Sequence, residues 1–154
     1  MFSFLKKKKT ALFSPADGQL VPLSKVEDPV FSQGMMGPGI AVLPSSDDIY
    51  SPVEGTVSNV FPTKHAIGLK TKDGKEVLLH FGIDTVELKG EGFEVFVDVD
   101  DKVQNDTLLA RMDRAYLKEQ EKIDTLMVLF PEEKEFPNVE EKAVNAKDEL
   151  FELD

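Results

Sequence analysis

The apolar runs of this chain are short, and Gly, Pro or Asp breaks them about every 8 to 12 residues: ALFSPADGQLVPL, GIAVLPSSDDIYSPVEGTVSNVFP, AIGLKTKDGKEVLLHFG, EVFVDVDDKVQNDTLLARMD. An amphipathic helix needs an apolar stripe on a 3.6-residue period over several turns, and runs this brief cannot carry one. They read as strands separated by turns, which makes the protein all-β, a sandwich or a barrel. Only RAYLKEQEKIDTL has a helical pattern, and it is short.

The turns also repeat. Ser14-Pro15-Ala16-Asp17-Gly18-Gln19-Leu20-Val21 recurs as Ser51-Pro52-Val53-Glu54-Gly55-Thr56-Val57-Ser58. More loosely, the stretch from Asp101 to Leu109 is echoed from Lys142 to Leu150. Each copy sets a turn former before an apolar strand, as two similar β units joined in one body would require. The alternative is that Ser-Pro and Gly turns simply recur in β proteins.

At 154 residues the chain is expected to form one domain, residues 11–154, after a basic tail, 1–10, that holds Lys6, Lys7, Lys8 and Lys9. The absence of cysteine excludes thiol catalysis and thiolate metal sites, and it fits a reducing cytoplasm. A net charge of -11 repels a phosphate backbone, so nucleic acid is not an expected partner, whereas a basic protein surface is. No apolar run approaches the roughly 18 residues of a membrane span, and a protein neither secreted nor membrane-spanning is expected. Phe2, Phe4 and Leu5 beside the lysines suit peripheral contact of residues 1–9 with an anionic membrane, or else form a plain disordered tail. Without an obvious zipper, a monomer is expected.

Both histidines of the chain, His65 and His80, flank one Lys-Asp-Gly-Lys turn. Asp73-Gly74 between alternating segments signals a hairpin, because both residues tolerate positive φ. A two-residue loop would pair Lys72 with Lys75, His65 with Gly82 and His80 with Ile67, leaving the histidines as diagonal neighbours on one face. A one-residue shift of register would put them on opposite faces. In this reading His80 shares its face with Glu76 and Leu78, His65 with Ile67 and Leu69, and Gly82 leaves open space beside them. Four readings remain from the residues alone: a metal pair completed by Asp84 or Glu76, a general-base pair, a nucleophilic imidazole supported by its neighbour, or two ordinary satisfied histidines.

The strings Phe61-Pro62-Thr63-Lys64-His65-Ala66-Ile67-Gly68 and His80-Phe81-Gly82-Ile83-Asp84-Thr85-Val86-Glu87-Leu88-Lys89-Gly90-Glu91-Gly92-Phe93 carry further information. Ser14-Pro15 with Gly18, Val26-Glu27-Asp28-Pro29-Val30-Phe31, Gly37-Pro38-Gly39-Ile40-Ala41 and Ser51-Pro52-Val53-Glu54-Gly55 precede them in order. Together they resemble the glucose-family enzyme IIA component of the bacterial phosphoenolpyruvate-dependent sugar phosphotransferase system, over most of residues 12 to 113.

The resemblance implies an antiparallel barrel-sandwich hybrid with duplicated halves and one or two short helical turns. It implies a cytoplasmic phosphoryl carrier, needing no cofactor or metal, that takes its phosphoryl group from the phosphocarrier protein HPr on His80 and passes it to the IIB domain of a sugar permease. His65 would contact the phosphoryl group and Thr63 would support His65. Val30, Phe31, Met35, Met36, Phe61, Leu78 and Val86 would line the docking face, with Asp28 and Asp84 on its rim, although apolar residues also serve as core and aspartates also cap turns. The alternatives are a zinc-dependent hydrolase of the same duplicated architecture and a regulatory binding module whose phosphorylation selects its targets.

Asp100, Asp106 and Lys147 stand where that family favours glycine, so those turns are expected to be rebuilt. Asp124-Thr125-Leu126-Met127-Val128-Leu129-Phe130-Pro131 and an acidic loop replace the family's usual segment on one wall of the site.

Overall fold

A computed structural model describes residues 9–154. The expectations for membrane contact through residues 1–9 fall almost entirely outside that range. Among the described residues no helix is long and apolar enough to cross a membrane. Every strand pairing among the described residues is antiparallel.

One sheet has eight strands: β2 (Gly18–Pro22), β3 (Gly39–Pro44), β5 (Gly55–Val60), β6 (Ala66–Thr71), β7 (Glu76–Ile83), β9 (Lys102–Val103), β11 (Ile123–Leu129) and β12 (Lys142–Val144). A second sheet joins β4 (Asp48–Tyr50), β8 (Phe93–Val95) and β10 (Leu108–Met112), and β1 (Thr10–Phe13) pairs with β13 (Glu149–Leu153). Thr10, which the sequence reading counted with the tail, is the first residue of β1 and is buried. The arrangement is a sandwich of open sheets, and among the described residues no sheet closes into a barrel.

The order of the large sheet, β12-β2-β3-β11-β7-β6-β5-β9, reads as a palindrome of the two repeats. Gly18 of the first Ser-Pro motif pairs with Val144 on one side and Pro44 on the other. Gly55 of the second pairs with Val103 and Thr71. Hydrogen bonds cross between the halves in matched sets. The Phe13 N–H donates across to Pro52 and the Tyr50 N–H to Pro15, while within each half the Ser14 and Ser51 N–H groups donate to Asp148 and Thr107. The Ser14 and Ser51 hydroxyls each close the same local turn, onto the carbonyls of Ala16 (2.7 Å) and Val53 (2.6 Å). Two β units related by a two-fold therefore share one body, and the dyad passes between β7 and β11.

Helices are few. α1 (Pro29–Ser32) and α2 (Arg114–Glu119) are each capped by a preceding aspartate, Asp28 onto the Val30 N–H and Asp113 onto the Tyr116 N–H. Only the last four residues of RAYLKEQEKIDTL, Ile123 to Leu126, are strand, since Ile123 begins β11. Short 3-10 turns at Leu23–Lys25 and Thr85–Leu88 complete the set.

The main core lies on one face of the large sheet and includes Leu79, Phe81, Leu126, Val128 and Phe130. A smaller cluster of Val21, Leu23, Val26, Phe31, Ala41, Ile83, Met127 and Leu129 lies on the other face, under the segment that holds α1. Of the turns at usual glycine positions, Asp100 (φ 78°) and Lys147 (φ 76°) are left-handed, and Asp106 is not among the residues of positive φ. Lys147 keeps the conformation that glycine would favour and lays its ammonium over the Tyr50 ring, 4.6 Å from the centroid.

Candidate active site

The hairpin differs from the expected one. Lys70 pairs with Glu76, the Thr71 N–H donates to the Lys75 carbonyl and the Gly74 N–H to the Thr71 carbonyl, so the loop has three residues and ends in a left-handed Gly74. Lys72 does not face Lys75. His80 stands opposite Ala66 instead of Ile67, and the His65 carbonyl accepts from the Phe81 N–H instead of facing Gly82.

This is the one-residue shift that a regular pleat would turn into separation, and yet the imidazoles meet. Their centroids are 5.1 Å apart with the rings at 80°. The reason is local: His65 lies just outside β6, immediately after Lys64 in the left-handed region (φ 60°), where the pleat no longer dictates its direction. Ile67 and Leu69, expected beside His65, lie instead in the main core opposite Leu79 and Val77. Glu76, Leu78 and His80 do alternate with the buried Val77, Leu79 and Phe81 on β7.

Gly82 does not leave an open space. It is left-handed (φ 77°), and a Cβ there would stand 2.6 Å from Thr85 Cγ2 and 2.7 Å from the Ile123 carbonyl oxygen. Its part in the site is played by its carbonyl, which lies 2.8 Å from His80 Nδ1. A carbonyl only accepts, so Nδ1 carries the proton and Nε2 keeps its lone pair. His80 is half-buried, and burial, with the His65 ring beside it, pushes its pKa down to about 4 against the opposing pull of the Gly82 carbonyl and Asp28. His65 is buried, which lowers its pKa as well, and its Nδ1 is 2.5 Å from the Thr63 hydroxyl. Both rings are neutral near pH 7.

Aromatic rings hold the pair from outside. Phe31 lies 5.0 Å from His80 and Phe61 meets His65 edge-on at 5.5 Å. Of the predicted docking residues, Val30, Met35, Met36 and Val86 are exposed, Phe61 and Leu78 are half-buried, and Phe31 is buried in the smaller cluster. Asp28 caps α1 and Asp84 is exposed without a side-chain cap bond. Sequence reasoning missed Met127, which pairs with His80 across β11, and Ala66. Met127 sits in the DTLMVLFP run already noted as one wall of the site, and its strand register was the missing piece. Among the described residues no three metal-ligating side chains gather, so neither Asp84 nor Glu76 completes a metal pair.

Two neutral imidazoles, one with its nucleophilic nitrogen kept free by a backbone carbonyl, invite comparison with known proteins. Residues 10–136 match the family described as phosphoenolpyruvate-dependent sugar phosphotransferase system, EIIA 1. The chain belongs to that family. It is 50% identical, over 106 residues, to the PTS system glucose-specific EIICBA component of Staphylococcus saprophyticus subsp. saprophyticus, an alignment that covers 69% of this chain and 16% of that protein. It thus spans a small part of that relative's length. Glucose permease IIA from Mycoplasma capricolum has the same fold, with a TM-score of 0.83, 38% identity and 97% of each chain covered. Enzyme IIA membership leaves the zinc hydrolase without support.

Proposed function

We propose that this enzyme IIA chain is a cytoplasmic phosphoryl carrier of a sugar phosphotransferase system. It receives a phosphoryl group from phospho-HPr on His80 and gives it to the IIB domain of a sugar permease, so that uptake and phosphorylation are coupled. The observation that carries the reading is the Nδ1–H bond of His80 to the Gly82 carbonyl, which presents an unprotonated Nε2 beside a second imidazole.

The Nε2 lone pair attacks phosphorus while the N–P bond to the donor imidazole breaks and its electron pair returns to the donor. The Nδ1 proton stays in place, held by Gly82. With the Thr63 hydroxyl donating to His65 Nδ1, His65 offers its Nε2–H to the phosphoryl oxygens, and charge stabilisation of this kind is the main demand of phosphoryl transfer. The exposed Val30, Met35, Met36 and Val86 give an adaptable apolar surface to more than one partner, and the acidic body with Asp28 and Asp84 attracts a basic one.

The test is incubation with phosphoenolpyruvate, enzyme I and HPr. The protein is expected to gain one acid-labile phosphoryl group. His80→Ala abolishes it, whereas His65→Ala still loads but passes the group on slowly. Labelling that survives in His80→Ala defeats the assignment.

A further inference from the structure

The large sheet makes the same turn twice. Before β3, the Gly37 N–H donates to the Gly34 carbonyl (3.0 Å), Gly37 is left-handed (φ 96°), and the next carbonyl, Pro38, accepts from the Phe130 N–H (2.8 Å). Before β6, the Lys64 N–H donates to the Phe61 carbonyl (2.8 Å), Lys64 is left-handed (φ 60°), and the next carbonyl, His65, accepts from the Phe81 N–H (2.8 Å). The two-fold that relates β3 to β6 and β11 to β7 carries one turn onto the other.

Glycine enters this conformation freely, whereas a lysine Cβ crowds the following carbonyl and resists it. Lys64 therefore adopts, beside the site, a backbone that its own chemistry disfavours. Such residues persist where the surroundings over-determine them. Had the pleat of β6 continued, His65 opposite Phe81 would face the main core, where Phe81 is fully buried. Lys64 is the one left-handed residue between Phe61 and Ala66.

We propose that Lys64 is a positioning residue that acts through its backbone: its left-handed turn lifts the His65 ring off the pleat, sets it edge-on against His80 and brings its Nδ1 to Thr63. The functional arm of this inference rests on the carrier reading, and the structural arm on geometry alone. Position 64 thus requires tolerance of positive φ, and the lysine charge is dispensable.

Four full-length variants test it: Lys64→Gly, Lys64→Asn, Lys64→Arg and Lys64→Val. Imidazole nitrogen shifts and ring-to-ring proton contacts in the unphosphorylated protein read the His65 tautomer and its place beside His80. Rapid-quench assays read loading from phospho-HPr and onward transfer to IIB. Gly and Asn, which enter the left-handed region readily, are expected to keep the His65 signals and hold onward transfer within about twofold of the parent. Val, whose branched Cβ resists positive φ, shifts the His65 signals and slows onward transfer by about tenfold or more, while His80 still loads to one phosphoryl group. Unchanged His65 signals and onward transfer in the Val variant overturn the proposal. If Val prevents folding, the remaining three decide: parent-like Gly and Asn support it, whereas loss in Gly and Asn with retention in Arg assigns the role to charge and overturns it. Should no variant, nor the parent, accept a phosphoryl group, the carrier reading fails while the imidazole signals still test the backbone role.

Discussion

His80 illustrates how burial and one backbone bond tune a side chain. Its folded pKa of about 4 lies below the unfolded value of 6.5, so between those pH values the unfolded chain binds the extra proton. The resulting stability is fully present above about pH 6.5 and is lost as pH falls toward about 4, by roughly 3 kcal/mol. His65, lowered in the same direction, adds to the slope. Urea unfolding of the parent and His80→Gln across this range checks it, and the variant is expected to have the shallower dependence. An equal slope in both would place the titration elsewhere. The tautomer itself was not available from sequence, since it depends on a carbonyl two residues away that reaches Nδ1 only because Gly82 is left-handed.

Among the elements, α1 is a single helical turn with little intrinsic stability, so its cap and its one buried side chain decide whether it forms. Asp28 accepts from the Val30 N–H (2.9 Å), and Phe31 in that turn packs its ring against His80. Asp28→Ala is expected to cost about 1 kcal/mol in urea unfolding, while Asp28→Asn, which caps as well, leaves stability nearly unchanged. The same pair separates cap from charge, because under the proposed carrier role Asn is expected to slow loading by a basic donor with weaker salt dependence, even though the fold is kept. If Asn and Ala destabilise alike, the cap is not what matters. The α1 turn was invisible to periodicity because four residues carry no 3.6-residue stripe, whereas its Asp28-Pro29 start is legible in the sequence. The β6–β7 hairpin was foreseen as an element and misread in register, since Asp73-Gly74 suits both a two-residue loop and the three-residue loop that forms.

For the whole molecule, the duplicated halves meet where β7 pairs with β11, so the centre of the fold is also the floor of the site. Leu126 is fully buried there, opposite Val42 on one side and Phe81 on the other. Leu126→Ala is expected to cost 2–5 kcal/mol, about what a fully buried leucine loses when its cavity cannot collapse. Thermal unfolding measures it, and a loss below about 1 kcal/mol would show that this joint is not the core's centre. The Ser-Pro repeat foretold the two halves correctly because each copy builds its own local turn. What no spacing could show is how the looser second repeat is shared out, with β12 on β2 in one half and β9 on β5 in the other.

By itself the sequence determined the all-β class, the duplication and the placing of both histidines at the ends of one hairpin, because alternation, turn formers and motif residues act over a few positions. The tertiary structure alone decided that the imidazoles touch. A one-residue change of loop length reverses every side chain along a strand, and it took a left-handed backbone before His65 to undo that reversal at the single position where it matters.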